Sequence, residues 1–140
     1  METNLILRAA VFAREAHSGQ TRKYNGRPYV EHPARVASRV ALHPDATEAM
    51  VVAAFLHDVL EDTPTTLDEI GRAFTPEIAR LVEGLTNTSK TTNPELPRAD
   101  RKEMDRERLA KEPREVKIIK LIDRIDNLRE MFGAPVKFVK

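Results

Sequence analysis

The sequence predicts a single all-α domain, and three observations support this class. Apolar residues recur at the spacing of helices, and the strand signal is negligible. Aromatic residues make up 5% and charged residues 32% of the 140 residues, a mixture that suits helices better than a β-sandwich. Finally, 41% hydrophobic residues are enough for one compact core but not for two.

Composition also limits which binding partners and which cellular compartment we expect. The formal net charge of +1 gives no whole-molecule reason to expect a nucleic acid or a membrane as partner. Cysteine is absent, which excludes disulfides and thiolate metal sites. The N-terminal residues lack the pattern of a signal peptide, and no segment approaches membrane-spanning length. We therefore expect a cytoplasmic protein, and its oligomeric state is left open.

The first two helices are predicted on either side of a basic loop. Residues 4–16 place apolar side chains on one stripe, and residues 18–28 follow as a loop broken by Asn-Gly and Arg-Pro. Pro33 fits the first turn of the second helix, which puts His32 at its cap. That helix should end before His43, which precedes a proline.

Capping signals define the next three helices. Residues 45–48 form a capping box that opens a third helix through Leu60. Residues 66–69 repeat this signature for a short fourth helix. Thr75-Pro76 then starts a fifth helix, which reaches about Thr86.

The C-terminal part contains a loop, a charged helix and a final long helix. Residues 87–97 are rich in Thr, Asn and Pro and predict a loop, and residues 98–111 predict a highly charged helix. Pro113 opens the last clear helix, which ends near Phe132. Residues 136–140 begin another apolar pattern. They form either a short packed tail or the start of further helices beyond the given sequence, and we favour the second interpretation.

Polar groups at the end of the third predicted helix need an explanation. Residues 51–56 are so apolar that the helix should be buried, yet His57, Asp58, Glu61 and Asp62 follow. Burial and the negative end of the helix dipole disfavour carboxylates there unless positive charge compensates. Helical spacing would stack His57 over Glu61 and Asp58 over Asp62. A divalent metal explains this pattern, but so do solvated charges at a surface helix end.

A second carboxylate interrupts an apolar stripe of the last helix. Asp123 shares its face with two aliphatic residues and with Asn127. The alternative is an edge salt bridge with Lys120 or Arg124. If Asp123 binds a metal, Asn127 is either a hydrogen-bonding partner of the site or a contact of the substrate.

His32 completes a set of two histidines and two carboxylates, and the predicted metal ligands are His32, His57, Asp58 and Asp123. Mixed imidazole and carboxylate ligands suit Mn²⁺, Fe²⁺ or Zn²⁺ better than Mg²⁺ or Ca²⁺. Such a site leaves positions for water and a phosphate oxygen, as phosphoester hydrolysis requires.

Four motifs in this order resemble those of a known family. They are HSGQTRK at residues 17–23, GRPYVEHP at 26–33, LHDVLEDT at 56–63 and KLIDRIDNLR at 120–129. The chain resembles HD-superfamily metal-dependent phosphohydrolases, specifically the (p)ppGpp hydrolase domain of RelA/SpoT proteins. In size it is similar to the stand-alone small alarmone hydrolases of the metazoan SpoT-homologue type. The resemblance covers nearly the whole chain and implies one compact HD-domain helical bundle over residues 1–140.

The resemblance also implies an activity and the residues that perform it. The activity is Mn²⁺-dependent removal of the 3′-pyrophosphate of (p)ppGpp, which gives GDP or GTP and pyrophosphate. The four predicted metal ligands keep that role. Glu61 and Asp62 match the acidic pair that orients or deprotonates the attacking water, and which of them is the base is open. Arg22, Lys23 and Asn127 match residues that contact the nucleotide.

Some residues fit this picture less directly. Arg22, Lys23 and Arg27 concentrate positive charge on one loop, which alone would suggest only a solvated basic turn. Asp126 stands where the long synthetase/hydrolases usually carry His, so a nearby contact can differ. His17, His43 and Asp126 are given no role in the site.

Two other functions stay open at this level. An HD hydrolase with the same metal site could act on another nucleotide, such as the 2′-phosphate of NADPH, because pocket contacts decide the substrate. The chain could also bind an alarmone without cleaving it, although the pair Glu61 and Asp62 argues against this. In each case the expected partner is a small-molecule nucleotide.

Overall fold

The computed structural model describes residues 4–132, and these contain nine helices and no sheet. The helices are α1 (Leu5–Ala16), α2 (Glu31–Ala41), α3 (Glu48–Leu56), α4 (Val59–Asp62), α5 (Leu67–Ala73), α6 (Pro76–Leu85), α7 (Ser89–Thr92), α8 (Arg98–Ala110) and α9 (Arg114–Met131). The predicted all-α class is confirmed. The apolar segment predicted at residues 136–140 lies outside the described residues.

The short apolar helix α3 lies at the centre of the bundle. It packs against α1, α2, α6 and α9. Six of its nine residues are buried, as its lack of a polar face predicts. Because α2 and α9 also pack on each other, the two helices that carry His32 and Asp123 meet beside α3.

Threonine side chains start three of the helices. Thr66 and Thr75 accept hydrogen bonds from the backbone N–H groups of Glu69 and Ile78, as predicted for α5 and α6. The prediction for α3 is wrong by two residues, since its cap is Thr47 and not Asp45. Thr47 has the extended backbone that a cap needs, with φ −117° and ψ 162°.

The structure interrupts the predicted third helix at the His-Asp pair. We expected one helix through Leu60, but α3 ends at Leu56 and α4 begins at Val59. The N–H of His57 reaches the carbonyl of Ala54 at 3.5 Å, and Asp58 becomes the residue before α4. The predicted stacking of His57 over Glu61 in one continuous helix is therefore wrong. No Gly or Pro marks this break in the sequence.

Two further boundaries differ from the prediction. Helix α2 begins at Glu31, so His32 lies in its first turn and not at its cap. The predicted loop of residues 87–97 contains α7, where the hydroxyl of Ser89 donates to Asp105 of α8 at 2.8 Å.

None of the helices in the described part of the chain is both long and apolar enough to cross a membrane.

Candidate metal centre

Four side chains from three parts of the bundle converge beside the end of α3. His32 comes from α2, His57 and Asp58 from the α3–α4 break, and Asp123 from α9. Each offers one ligand atom, and these four atoms all lie within 4.8 Å of one another. The residues predicted as metal ligands are therefore neighbours in space.

The distances between the ligand atoms suit a common metal ion. Nε2 of His32 lies 2.8 Å from Oδ1 of Asp123 and 3.7 Å from Oδ2 of Asp58. Nε2 of His57 lies 2.9 Å from Oδ2 of Asp58 and 3.2 Å from Oδ1 of Asp123. Ligands that each bond a metal at about 2.1 Å are at most about 4.2 Å apart. Geometry and donor chemistry thus both fit a divalent transition metal.

Both imidazoles are held through the nitrogen that faces away from this cluster. Nδ1 of His57 hydrogen-bonds the carbonyl oxygen of Ala54 at 2.6 Å. Nδ1 of His32 hydrogen-bonds Oδ2 of Asp126 at 2.6 Å. A partner of this kind on the outer ring nitrogen orients metal-binding histidines in general. Both Nε2 atoms consequently point into the cluster.

The acidic groups give the cluster negative charge. Burial works against ionisation of Asp58, but His57 beside it lowers the Asp58 pKa to about 2. Burial also opposes ionisation of Asp123, yet hydrogen bonds from His32 and His57 lower its pKa. For His57, burial lowers the pKa, but the carboxylates of Asp58 and Asp123 raise it well above its ordinary value. The centre therefore attracts positive charge.

Comparison with known protein families shows which family this chain belongs to. A family model described as an HD domain matches residues 9–137. The chain belongs to the HD-domain family. The matched range includes all four members of the cluster, and the predicted family is confirmed.

Named relatives place this HD domain more narrowly. It is 39% identical over 132 residues to the guanosine-3′,5′-bis(diphosphate) 3′-pyrophosphohydrolase MESH1 of Homo sapiens, covering 93% of the chain and 71% of the relative. It is 35% identical to the Danio rerio protein of the same name, covering 92% and 70%. An Aquifex aeolicus guanosine-3′,5′-bis(diphosphate) 3′-pyrophosphohydrolase is 38% identical, and the match covers 91% of the chain but 18% of that longer protein.

A solved structure agrees with these relatives. It is described as a metazoan ortholog of SpoT that hydrolyzes ppGpp. This structure superposes with a TM-score of 0.82 at 30% identity and covers 96% of the chain and 74% of that protein. The predicted resemblance to the metazoan SpoT-homologue type is confirmed, as is the HD-domain helical bundle.

The predicted acidic pair separates into two different environments. Asp62 lies 3.1 Å from the Tyr29 hydroxyl, which donates to the ligand candidate Asp58 at 2.7 Å. Glu61 instead accepts a hydrogen bond from the backbone N–H of Asn87. Desolvation and the nearby Asp58 carboxylate raise the pKa of both Glu61 and Asp62. Both groups are thus better proton acceptors than ordinary surface carboxylates.

The residues predicted to contact the nucleotide differ in burial and in their contacts. Arg22 is 7% exposed, donates to Oδ1 of Asn127 at 2.6 Å and pairs with Glu130 at 2.8 Å. Asn127 in turn reaches Oδ1 of Asp123 at 3.4 Å. Lys23 is exposed. Arg22 therefore connects the loop to α9 beside the metal centre.

Arg27, the third basic residue of this loop, does not contact Asn127 or Glu130 and pairs with Glu31. Arg27 forms a two-pronged salt bridge with Glu31, with both distances at 2.7 Å, and it is solvent-exposed. Hydrogen bonding to Glu31 raises the pKa of Arg27. All three basic residues lie on this loop as predicted, but Arg27 is paired with Glu31 and Arg22 with Glu130.

A broad groove opens from the metal centre between the loop, α8 and α9. Its volume is about 930 Å³. The basic residues of its lining are Lys23, Arg98, Lys102, Lys120 and Arg124. Asp123 and Asn127 also line it, so the groove and the metal centre share a wall. Lys120 lies 3.5 Å from Oδ2 of Asp123, which means that the edge salt bridge we considered coexists with the histidine contacts.

Sequence reasoning missed two residues of this centre. Tyr29 lies in the motif GRPYVEHP, and its position three residues before His32 was the available signal. Asp126 was given no role, yet it is 1% exposed and contacts His32. His17 is also buried, with Nδ1 2.9 Å from Oε1 of Gln20, which braces the loop. His43 accepts from the N–H of Asp45 at the end of α2, in agreement with a helix stop.

Proposed function

We propose that this HD domain is a metal-dependent hydrolase that removes the 3′-pyrophosphate of ppGpp and pppGpp, giving GDP or GTP and pyrophosphate. The relatives named for this activity and the resemblance of the four motifs support the proposal. A cytoplasmic location and the expected lack of nucleic-acid and membrane partners stay predictions.

One observation carries the proposal for this chain itself. The groove that Asp123 lines also carries five basic residues, in a protein whose formal net charge is +1. Local clustering of this kind concentrates positive potential where a polyanion can bind. A guanosine with diphosphates on two positions has the opposite charge along its length. Asp123 of the metal centre lines this groove, so a phosphate group bound there would lie beside the centre.

The residues take the following roles in the proposal. His32, His57, Asp58 and Asp123 hold a divalent ion, for which we propose Mn²⁺, with Fe²⁺ or Zn²⁺ as alternatives. When bound, the ion lowers the pKa of water and neutralises phosphate charge. Either Glu61 or Asp62 accepts the proton of the attacking water, and the other orients that water. Arg22 positions Asn127 beside the reacting group, and Lys23 binds phosphate.

Product analysis tests the proposed substrate. The Mn²⁺-loaded chain is incubated with ppGpp and separately with NADPH, and the products are resolved. GDP with pyrophosphate supports the proposal. Phosphate with NADH would assign the chain to another nucleotide, and tight binding of ppGpp without turnover would make it a binding module.

Metal binding should stabilise the folded protein. At a free Mn²⁺ concentration 100-fold above the dissociation constant, a ligand of the native state adds about 2.7 kcal/mol. For a chain of this length we expect Tm to rise by roughly 5–10 °C. Differential scanning calorimetry of EDTA-treated protein with and without Mn²⁺ measures this shift. Mg²⁺ should shift Tm less, and an equal shift with Mg²⁺ would contradict the proposed ligand chemistry.

Removing one charge of the basic groove should weaken substrate binding selectively. Lys102 is exposed on α8 and lines the groove, so Lys102→Ala should raise KM for ppGpp about tenfold at low salt and leave metal content unchanged. Arg106→Ala is the matched control, because Arg106 lies on the same helix and pairs with Glu103. Equal KM values for the two variants would contradict the proposed role of the groove.

A further inference from the structure

Asp126 is a buried acid on α9 that the sequence left without a role. It is 1% exposed and lies three residues after Asp123 on the buried face of α9. Its Oδ2 atom is 2.6 Å from Nδ1 of His32 on α2. A carboxylate in this environment needs compensation, and His32 provides part of it.

Arg35 provides the rest. Its Nε donates to Oδ1 of Asp126 at 2.9 Å and its Nη2 to Oδ2 at 3.1 Å. The same guanidinium reaches Oε1 of Glu130 at 2.6 Å, and Arg22 reaches that oxygen at 2.8 Å. Two arginines thus neutralise the two acids of this cluster.

This neutralisation decides between two interpretations of the cluster. His32, Asp126 and Glu130 have ligand atoms close enough to hold an ion of their own. The two guanidinium groups already occupy the carboxylate oxygens, so a second cation would meet positive charge. The cluster is therefore a support for His32 and not a second metal site.

The support fixes which nitrogen of His32 carries a proton. Asp126 is ionised between Arg35 and His32 and can only accept, so Nδ1 of His32 must donate. Nε2 then presents its lone pair to the cluster with Asp58 and Asp123. His57 is held differently, since the carbonyl of Ala54 accepts from its Nδ1. Its orientation depends on the backbone, whereas that of His32 depends on a replaceable side chain.

We propose that Asp126, held by Arg35, is a positioning residue that fixes the Nδ1–H tautomer of His32 and directs Nε2 toward the metal ion. This inference rests on the proposed metal site and deepens it. It also gives a physical role to the aspartate that this chain carries at position 126, where the long synthetase/hydrolases usually carry His. A carboxylate there can accept a hydrogen bond from His32 and pair with Arg35 at the same time.

Metal affinity measures the effect directly. Zn²⁺ binding to the full chain is followed by calorimetric titration for the wild type, Asp126→Ala and Asp126→Asn, with far-UV circular dichroism to verify folding. Loss of such a partner weakens metal affinity by roughly 10- to 100-fold, which we expect for Asp126→Ala. Asp126→Asn should lose about fivefold, since its amide N–H₂ must oppose a donor of Arg35 or of His32. If Asp126→Ala fails to fold, Asp126→Asn decides the question.

A control variant separates this effect from general destabilisation. Asp105 on α8 is a partly buried acid that accepts a hydrogen bond from the hydroxyl of Ser89. Asp105→Asn should lower Tm but leave the Zn²⁺ dissociation constant unchanged. A folded Asp126 variant with wild-type Zn²⁺ affinity would overturn the inference.

The imidazole proton gives a second readout that a purely structural role would not move. In ¹⁵N–¹H spectra of the Zn²⁺-loaded wild type, we expect slowly exchanging Nδ1–H signals from His32 and from His57. Asp126→Ala should lose the His32 signal and keep that of His57. Persistence of both signals would overturn the inference. A wild-type chain that binds Zn²⁺ but does not turn over ppGpp would overturn the proposed substrate and leave this inference intact.

Discussion

Replacing His57 or Asp123 with Ala is expected to abolish metal binding and hydrolysis together. Both side chains are nearly inaccessible, at 1% and 5% exposure, and both point into the same cluster. Each variant leaves three of the four ligands and opens a cavity where the fourth was. A metal ion contributes several kcal/mol of charge stabilisation in the transition state, so turnover should fall by at least about a thousandfold.

Metal content and turnover must be measured on the same samples. Mass-spectrometric metal analysis after dialysis gives the first, and pyrophosphate release from ppGpp gives the second. His43→Ala is the matched control, because His43 lies at the end of α2 and contacts Asp45, away from the cluster. An Asp123→Ala protein that keeps a full equivalent of metal would refute the ligand assignment.

Local sequence signals predicted the starts of α5 and α6 correctly and missed the start of α3 by two residues. Thr66 and Thr75 cap α5 and α6 as their sequence contexts indicate, since a cap bonds a residue only three positions away. The break between Leu56 and Val59 coincides instead with a contact across the bundle. Nε2 of His57 lies 3.2 Å from Oδ1 of Asp123, which is 66 positions further along the chain. Nothing local separates this from a continuous helix.

The site residues likewise fall into those that local sequence reveals and those that only the fold reveals. The four cluster residues were recognisable because each is a polar intrusion into an apolar helix or belongs to a motif. Asp126 was given no role, because its partner His32 is 94 positions away. Arg27 pairs with Glu31 only four residues on, whereas Arg22 pairs with Glu130 of α9, 108 positions away. Residue type pointed to the four ligand candidates, whereas the partners of those candidates depend on the fold.

Glu61→Gln is expected to retain the metal and to lose most activity. Glu61 lies near the cluster but accepts from the N–H of Asn87, and a glutamine oxygen can accept the same bond. The fold and the ligands should therefore be undisturbed. Gln cannot take a proton from water, and loss of a general base costs about 10²- to 10⁴-fold in kcat. Metal content and kcat measure the two effects, and Glu83→Gln on the exposed side of α6 is the matched control.

The pH dependence tests the same role independently. Desolvation and the charge of Asp58 raise the pKa of Glu61. A base acts only when deprotonated, so activity should fall as the pH drops through this raised value, at a higher pH than for an ordinary glutamate. Asp62 has a raised pKa for the same reasons and lies beside Tyr29. If Glu61→Gln stays active while Asp62→Asn loses its turnover, the base is Asp62, and the hydrogen bond to Asn87 makes Glu61 a residue that orders the wall of the groove.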